Sequence, residues 1–117
     1  MIGLTTHILD TSLGTPAAGV SIQLFTGQGA QRVLISTHIT NADGRCDAPL
    51  LSGETFTKGV YELVFEMGRY FRQHNADLPD PLFLDQIVIR FGLSDTQTHY
   101  HIPLLVSPFG YSTYRGS

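Results

Sequence analysis

The sequence predicts an all-β sandwich, on three observations. Short runs of alternating apolar and polar residues recur along the chain. Glycine, proline, asparagine or aspartate separates these runs. Only one stretch has helical character. Alternation with a period of two is what a half-buried strand requires, because successive side chains point to opposite faces of a sheet. Seven or eight such strands with one brief helix define a sandwich of packed sheets.

Taken in order, Leu4, Thr6 and Ile8 alternate with Thr5, His7 and Leu9 in the first predicted strand. Asp10 to Pro16 reads as a loop. Val20, Ile22 and Leu24 form the second strand, ended by Gly27 and Gly29, and Val33, Ile35 and Ile39 share one face of a third. Asn41-Ala42-Asp43-Gly44 is a strong turn, since Asp and Gly tolerate left-handed backbone angles. Tyr61, Leu63, Phe65 and Met67 alternate in the next strand, followed by a short helix over Gly68 to Asn75 that Pro79 and Pro81 prevent from running on. Ile87, Ile89 and Phe91, then His99 to Val106, then Tyr111 to Tyr114 complete the set. Pro103 removes one backbone donor from its strand, which therefore lies at an edge or pauses its ladder there. A sandwich leaves strand edges open, and such edges are either blunted or paired with another subunit.

Composition narrows the function. A length of 117 residues fits one domain spanning residues 1–117. Such a domain buries roughly two-thirds of its unfolded surface and needs no metal or disulfide to fold. Hydrophobic residues make up 42% and charged residues 15%, the balance of a packed globular chain. A net charge of −3 offers no basic face for nucleic acid. The single cysteine, Cys46, reads as a small buried apolar residue. The first residues lack a basic segment followed by an apolar run, and no apolar stretch approaches the ~20 residues of a membrane span. A cytoplasmic protein, bound neither to membrane nor to nucleic acid, is the expectation.

Five histidines are the main chemical candidates: His7, His38, His74, His99 and His101. His99 and His101 are two apart in an extended run, so they share a face. Imidazole is the side chain best matched to proton transfer near neutral pH. Spacing alone leaves open whether these are site residues or ordinary hydrogen-bonded histidines. It also leaves open a zinc site built on His7, His99 and His101. Arg45 directly follows the Asp43-Gly44 turn, where a guanidinium either finishes a hairpin as an exposed charge or holds a carbonyl oxygen or anion. Tyr111, Tyr114 and Arg115 so near the end suggest a tail that docks.

Three blocks of sequence then carry a resemblance. The opening Leu4-Thr5-Thr6-His7-Ile8-Leu9-Asp10-Thr11, with Gly14 and Pro16-Ala17, resembles the N-terminal signature of the 5-hydroxyisourate hydrolases of the transthyretin-like family. Thr40 to Arg45 resembles a central block of that family, and His99 to Ser117 resembles its long, highly specific C-terminal signature. The resemblance covers nearly the whole chain. It implies a transthyretin-like sandwich of two four-stranded sheets with one short helix. It further implies a homotetramer arranged as a dimer of dimers, with active sites where dimers meet, and hydrolysis of a small purine-derived substrate in urate breakdown. The implied product is a ureidoimidazoline carboxylate.

The resemblance places His7, Arg45, His101 and Ser117 in the catalytic set. Tyr114, Arg115 and Gly116, with His7 and Arg45, would bind substrate. His99 matches no signature catalytic position and is expected to be structural or to support the site. No metal or other cofactor is expected. The family fold also serves hormone carriage, so a binding protein is the rival reading. The polar set of His7, Arg45, His101 and the terminal Tyr-Arg-Gly-Ser distinguishes the two.

Overall fold

The computed structural model describes residues 2–116. In chain order the strands are β1 (Gly3–Asp10), β2 (Thr15–Pro16), β3 (Ser21–Thr26), β4 (Val33–Ile39), β5 (Leu51–Ser52) and β6 (Gly59–Glu66). Helix α1 (Met67–His74) follows, then β7 (Gln86–Leu93), β8 (Tyr100–Ser107) and β9 (Gly110–Thr113). They form two sheets. One runs β2-β1-β8-β9, with β5 also pairing β1, and the other runs β4-β3-β6-β7. The architecture is the predicted transthyretin-like sandwich. The first sheet gains a fifth member because β2 and β5, two residues each, pair with opposite ends of β1.

Packing follows the alternation. Leu4 and Ile8 of β1, Ile22 and Leu24 of β3, Leu63 and Phe65 of β6, and Leu104 of β8 are fully buried between the sheets. Each such side chain contributes about 1.5–3 kcal/mol through lost contact with water. Thr5, His7 and Leu9 occupy the other face of β1 and are half-exposed. The core thereby fixes which face of β1 carries polar chemistry.

Several predicted elements settle differently. Met67 opens the helix and does not extend the strand, and the helix ends at His74, where Asn75 turns extended and its N–H caps the Phe71 carbonyl at 2.9 Å. The apolar face of β4 is not core. Val33, Ile35 and Ile39 are exposed because the register with β3 sets His38 and Ser36 beside the buried Ile22 and Leu24, which leaves these three outside the core. Cys46 is half-buried against the core, where burial pushes its thiol pKa up. The last strand stops at Thr113, one residue before Tyr114.

Pro103 lies in an interior strand, and of its two expected outcomes the paused ladder is the one found. β9 pairs β8 from Leu104↔Thr113 to Ser107↔Gly110. The ladder then breaks at Pro103 and resumes only as a bridge between His101 and Gly116. The missing N–H of proline gives the tail no donor to pair with at that point, so the chain leaves the sheet over Tyr114 and Arg115.

The second sheet holds one buried carboxylate. Glu62 on β6 is only 2% exposed. It takes hydrogen bonds from Arg32 at 2.9 Å, Arg90 at 2.9 Å and the Gly29 N–H at 3.1 Å. The Gly29 bond and the two guanidiniums hold its carboxyl pKa down at about 2. A depressed carboxylate adds stability that is complete above its unfolded value near 4.5 and is lost as pH falls toward the folded value. Glu62→Gln is therefore expected to lower Tm by several degrees at neutral pH and to flatten the dependence of Tm on pH between those two values. Thermal melts followed by circular dichroism across that range check this, and superimposable curves for both proteins would contradict it.

Candidate functional site

The site forms on the outer face of the first sheet, where β1 and β8 run parallel. Thr5 pairs with His101 and His7 with Pro103 in that register. Period-two alternation puts Thr5 and His7 on the outward face of β1 and His101 on the same side of β8. Gly44 brings in the arginine. It has φ +71°, its carbonyl accepts the Ile8 N–H at 2.9 Å, and a Cβ there would sit 2.5 Å from the Ile8 carbonyl oxygen. Only glycine fits this approach, which sets Arg45 in a bridge opposite His7.

An open cavity of about 350 Å³ results, lined by Thr5, His7, Arg45, His99, His101, Tyr114 and Gly116. A second hollow of about 260 Å³ shares Thr5, Arg45 and His99 with it and reaches Cys46 and Ala48. His7, Arg45 and His101 thus meet around one space, as the sequence suggested. In the single chain this space is open to solvent: Arg45 is exposed and His7 half-buried, while His101 is buried.

Within the cavity the imidazoles form a line. His7 Nδ1 lies 2.7 Å from His101 Nε2, with the rings nearly parallel at 18°. His101 Nδ1 lies 2.7 Å from the Thr5 hydroxyl, which is 2.8 Å from His99 Nε2. His99 Nδ1 accepts the Gly3 N–H at 3.1 Å. Burial, reinforced by the neighbouring His7, Arg45 and His99, lowers the His101 pKa to about 4. Burial and the Arg45 charge also lower that of His7. Both rings are neutral at physiological pH.

The line also bears on zinc. Both nitrogens of His101 are engaged, by Thr5 and by His7. Among the described residues no group of three or more His, Cys, Asp or Glu side chains is arranged to hold a metal ion.

The tail docks as its aromatic residues suggested, but not every member faces the cavity. Tyr114 and Gly116 line it, whereas Arg115 points the other way. Its guanidinium lies 4.0 Å over the Tyr100 ring and donates to the Thr98 hydroxyl at 3.0 Å and the His99 carbonyl at 3.3 Å. Arg115 therefore holds the tail down and does not line this cavity, although the resemblance grouped it with the substrate-binding residues. Alternation over residues 114–116 explains this, since neighbours in extended chain face opposite ways. Ser117 lies outside the described residues. Sequence reasoning missed Thr5, the group through which His99 reaches the pair. The signal was available in the period of two, because Thr5 sits two residues before His7.

An outer sheet face carrying neutral imidazoles, a guanidinium and a docked aromatic tail defines a β-sandwich protein with a polar site suited to proton handling. The chain belongs to the HIUase/Transthyretin family, whose model matches residues 4–116. The 5-hydroxyisourate hydrolase of Pseudomonas aeruginosa is 55% identical over 114 residues, an alignment covering 97% of this chain and 90% of that protein. The structure of Klebsiella pneumoniae 5-hydroxyisourate hydrolase superposes with a TM-score of 0.78 at 36% identity, over 97% of this chain and 98% of that one. A structure of (S)-allantoin synthase gives a TM-score of 0.91 at 43% identity over 98% of this chain, which spans 43% of that longer chain.

Gly116 packs against the pair. Its N–H donates to the His101 carbonyl at 2.6 Å, and a Cβ on it would lie 3.2 Å from both His101 Cδ2 and that carbonyl oxygen. Gly116→Ala is expected to displace the tail or the His101 ring and to lower kcat by about tenfold, since small misplacements at a reacting centre are costly. Steady-state kinetics with a parallel thermal melt check this. Unchanged kinetics in a folded variant would show that the contact has slack.

Proposed function

We infer that this protein is an enzyme that hydrolyses 5-hydroxyisourate in urate degradation, opening a cyclic amide-type bond by histidine-assisted attack of water. The observation that carries the reading is the convergence of His7, His101 and Arg45 on one cavity, in a chain 55% identical to a 5-hydroxyisourate hydrolase. A hormone-carrying channel has no need of a neutral imidazole pair beside a guanidinium.

Chemically, water forms a bond to the ring carbonyl carbon, the carbon–nitrogen bond breaks, and one water proton ends on the departing nitrogen. The carbonyl oxygen gains negative charge in between. In this reading Arg45 stabilises that charge, and the Tyr114 hydroxyl holds the flat, polar substrate in register. His7 is the member of the pair that meets substrate. Both nitrogens of His101 are taken, whereas His7 Nε2 has no partner among the described residues. We assign Ser117 a part in orienting water or a histidine, following the terminal signature.

Assembly belongs to the same proposal. β7 and β9 are sheet edges, and exposed Val88, Phe109, Tyr111 and Tyr114 lie on or beside them. Pairing of these edges into dimers, and of dimers into a tetramer, would cover the open cavity. Light scattering at the mass of a single chain would overturn this part. Cytoplasmic residence is consistent with a core that forms without a disulfide around the free thiol of Cys46. No helix among the described residues is long and apolar enough to cross a membrane.

The decisive assay adds the protein to freshly made 5-hydroxyisourate and follows its ultraviolet decay and the handedness of the product. Acceleration is expected, and decay at the buffer rate would end the reading. Arg45→Ala is expected to lower kcat by ~10²–10³-fold, the usual cost of one donor to a developing oxyanion. His7→Ala should be similarly impaired while the fold persists. Wild-type activity in both would remove these residues from the reaction.

The pH profile follows from the lowered histidines. Both histidines take up a proton only below the ordinary value of 6.5, and His101 only near 4. The acid limb of kcat/KM should therefore lie below 6.5. A limb at or above that value would show an unperturbed histidine in control.

A further inference from the structure

The line of imidazoles has a direction, and its far end fixes it. A backbone N–H only donates, so the bond from Gly3 makes His99 Nδ1 an acceptor. Neutral His99 then carries its proton on Nε2 and donates it to the Thr5 oxygen. The Thr5 hydroxyl has its own proton to place. Among the described residues the only other partner of that hydroxyl is His101 Nδ1 at 2.7 Å, so Thr5 donates there. With Nδ1 accepting, neutral His101 bears its proton on Nε2 and gives it to His7 Nδ1 at 2.7 Å. His7 is left with its proton on Nε2.

The opposite direction does not close. If His7 presented a bare Nε2, its Nδ1–H would donate to His101, and His101 Nδ1–H to Thr5. The Thr5 oxygen would then receive two N–H donors while its own proton had no acceptor among the described residues. Leaving that hydroxyl proton without a protein acceptor, with two donors crowded on one oxygen, biases the line toward the first direction.

We propose that Thr5 and His99 are positioning residues that set the tautomers of His101 and His7, so that His7 meets the substrate as a neutral Nε2–H donor beside Arg45. Neither residue needs to touch the substrate. His99 transmits the fixed polarity of a strand backbone, and Thr5 passes it on as the one group in the line able to accept from one imidazole and donate to the next. Histidine orientation by an outer partner is a general device, and presenting the wrong tautomer is costly even where geometry is kept. The assignment deepens the hydrolytic reading and rests on it for the role of His7. His7 then hydrogen-bonds the oxygen that gains charge, while the water proton passes to the departing nitrogen.

The test reads the tautomers directly. Long-range proton–nitrogen correlation spectra of the ¹⁵N-histidine-labelled protein near neutral pH should show His7, His99 and His101 each protonated at Nε2. A proton on Nδ1 of His7 or His101 would overturn the proposal. Thr5→Val keeps the shape and removes the hydroxyl. It should let the His7–His101 pair populate both tautomers and lower kcat on the order of 10–100-fold with KM little changed, the scale seen for outer partners of metal-binding histidines. Thr5→Ser should restore both the spectrum and kcat. Wild-type spectra and kinetics in Thr5→Val would refute the role of Thr5. If Thr5→Val fails to fold, Thr5→Ser and the wild-type spectra decide alone. Should the wild type not accelerate 5-hydroxyisourate decay, the functional reading falls while the tautomer measurement still stands.

Discussion

The parallel pairing of β1 with β8 is the interaction on which the rest depends. It joins strands nearly a hundred residues apart and sets Thr5 opposite His101. The buried faces of the two strands hold this register. Leu4 and Ile8 on one side and Ile102 and Leu104 on the other are buried, so a slip by one residue would carry them to solvent and drive Thr5 and His7 into the core. Apolar burial, not any contact within the site, therefore holds the polar line to hydrogen-bonding distances. The histidines gain their precision from leucines and isoleucines on the opposite face of the same strands.

Two backbone peculiarities then bring in the remaining pieces. Gly44, at a positive φ and against the Ile8 carbonyl, lets the turn close tightly enough to set Arg45 beside His7. Pro103 interrupts the β8–β9 ladder, which frees the tail to swing Tyr114 toward the cavity before Gly116 docks again on His101. Arg115 clamps that excursion from behind, stacked on Tyr100. A glycine, a proline and a cation on an aromatic ring, none of them chemically reactive here, shape the space in which chemistry takes place.

Electrostatics completes the picture. The one buried carboxylate with two guanidinium partners, Glu62, sits in the second sheet and serves stability. The cavity in the first sheet is lined by a lone guanidinium and rings that burial keeps neutral. Arg45 adds to that neutrality, because a second positive charge beside it is unfavourable. The same cation that would meet an anionic or charge-gaining oxygen thus also keeps its neighbouring imidazoles unprotonated.

The sequence by itself determined the fold class, the number of main strands and the brief helix, because period-two alternation and turn residues are local signals. It also marked His7, Arg45, His101 and the terminal aromatic tail, since those stand in specific motifs. It could not decide between the two outcomes for Pro103, nor see that the apolar face of β4 lies outside the core, because both depend on which strands become neighbours. Nor could it show that Arg115 faces away from the cavity. Only the tertiary structure joined Gly3, Thr5, His99, His101 and His7 into one line, since hydrogen bonds between residues some 95 positions apart have no signature in local spacing. Periodicity tells which face a side chain takes, and the pairing of distant strands decides what it meets there.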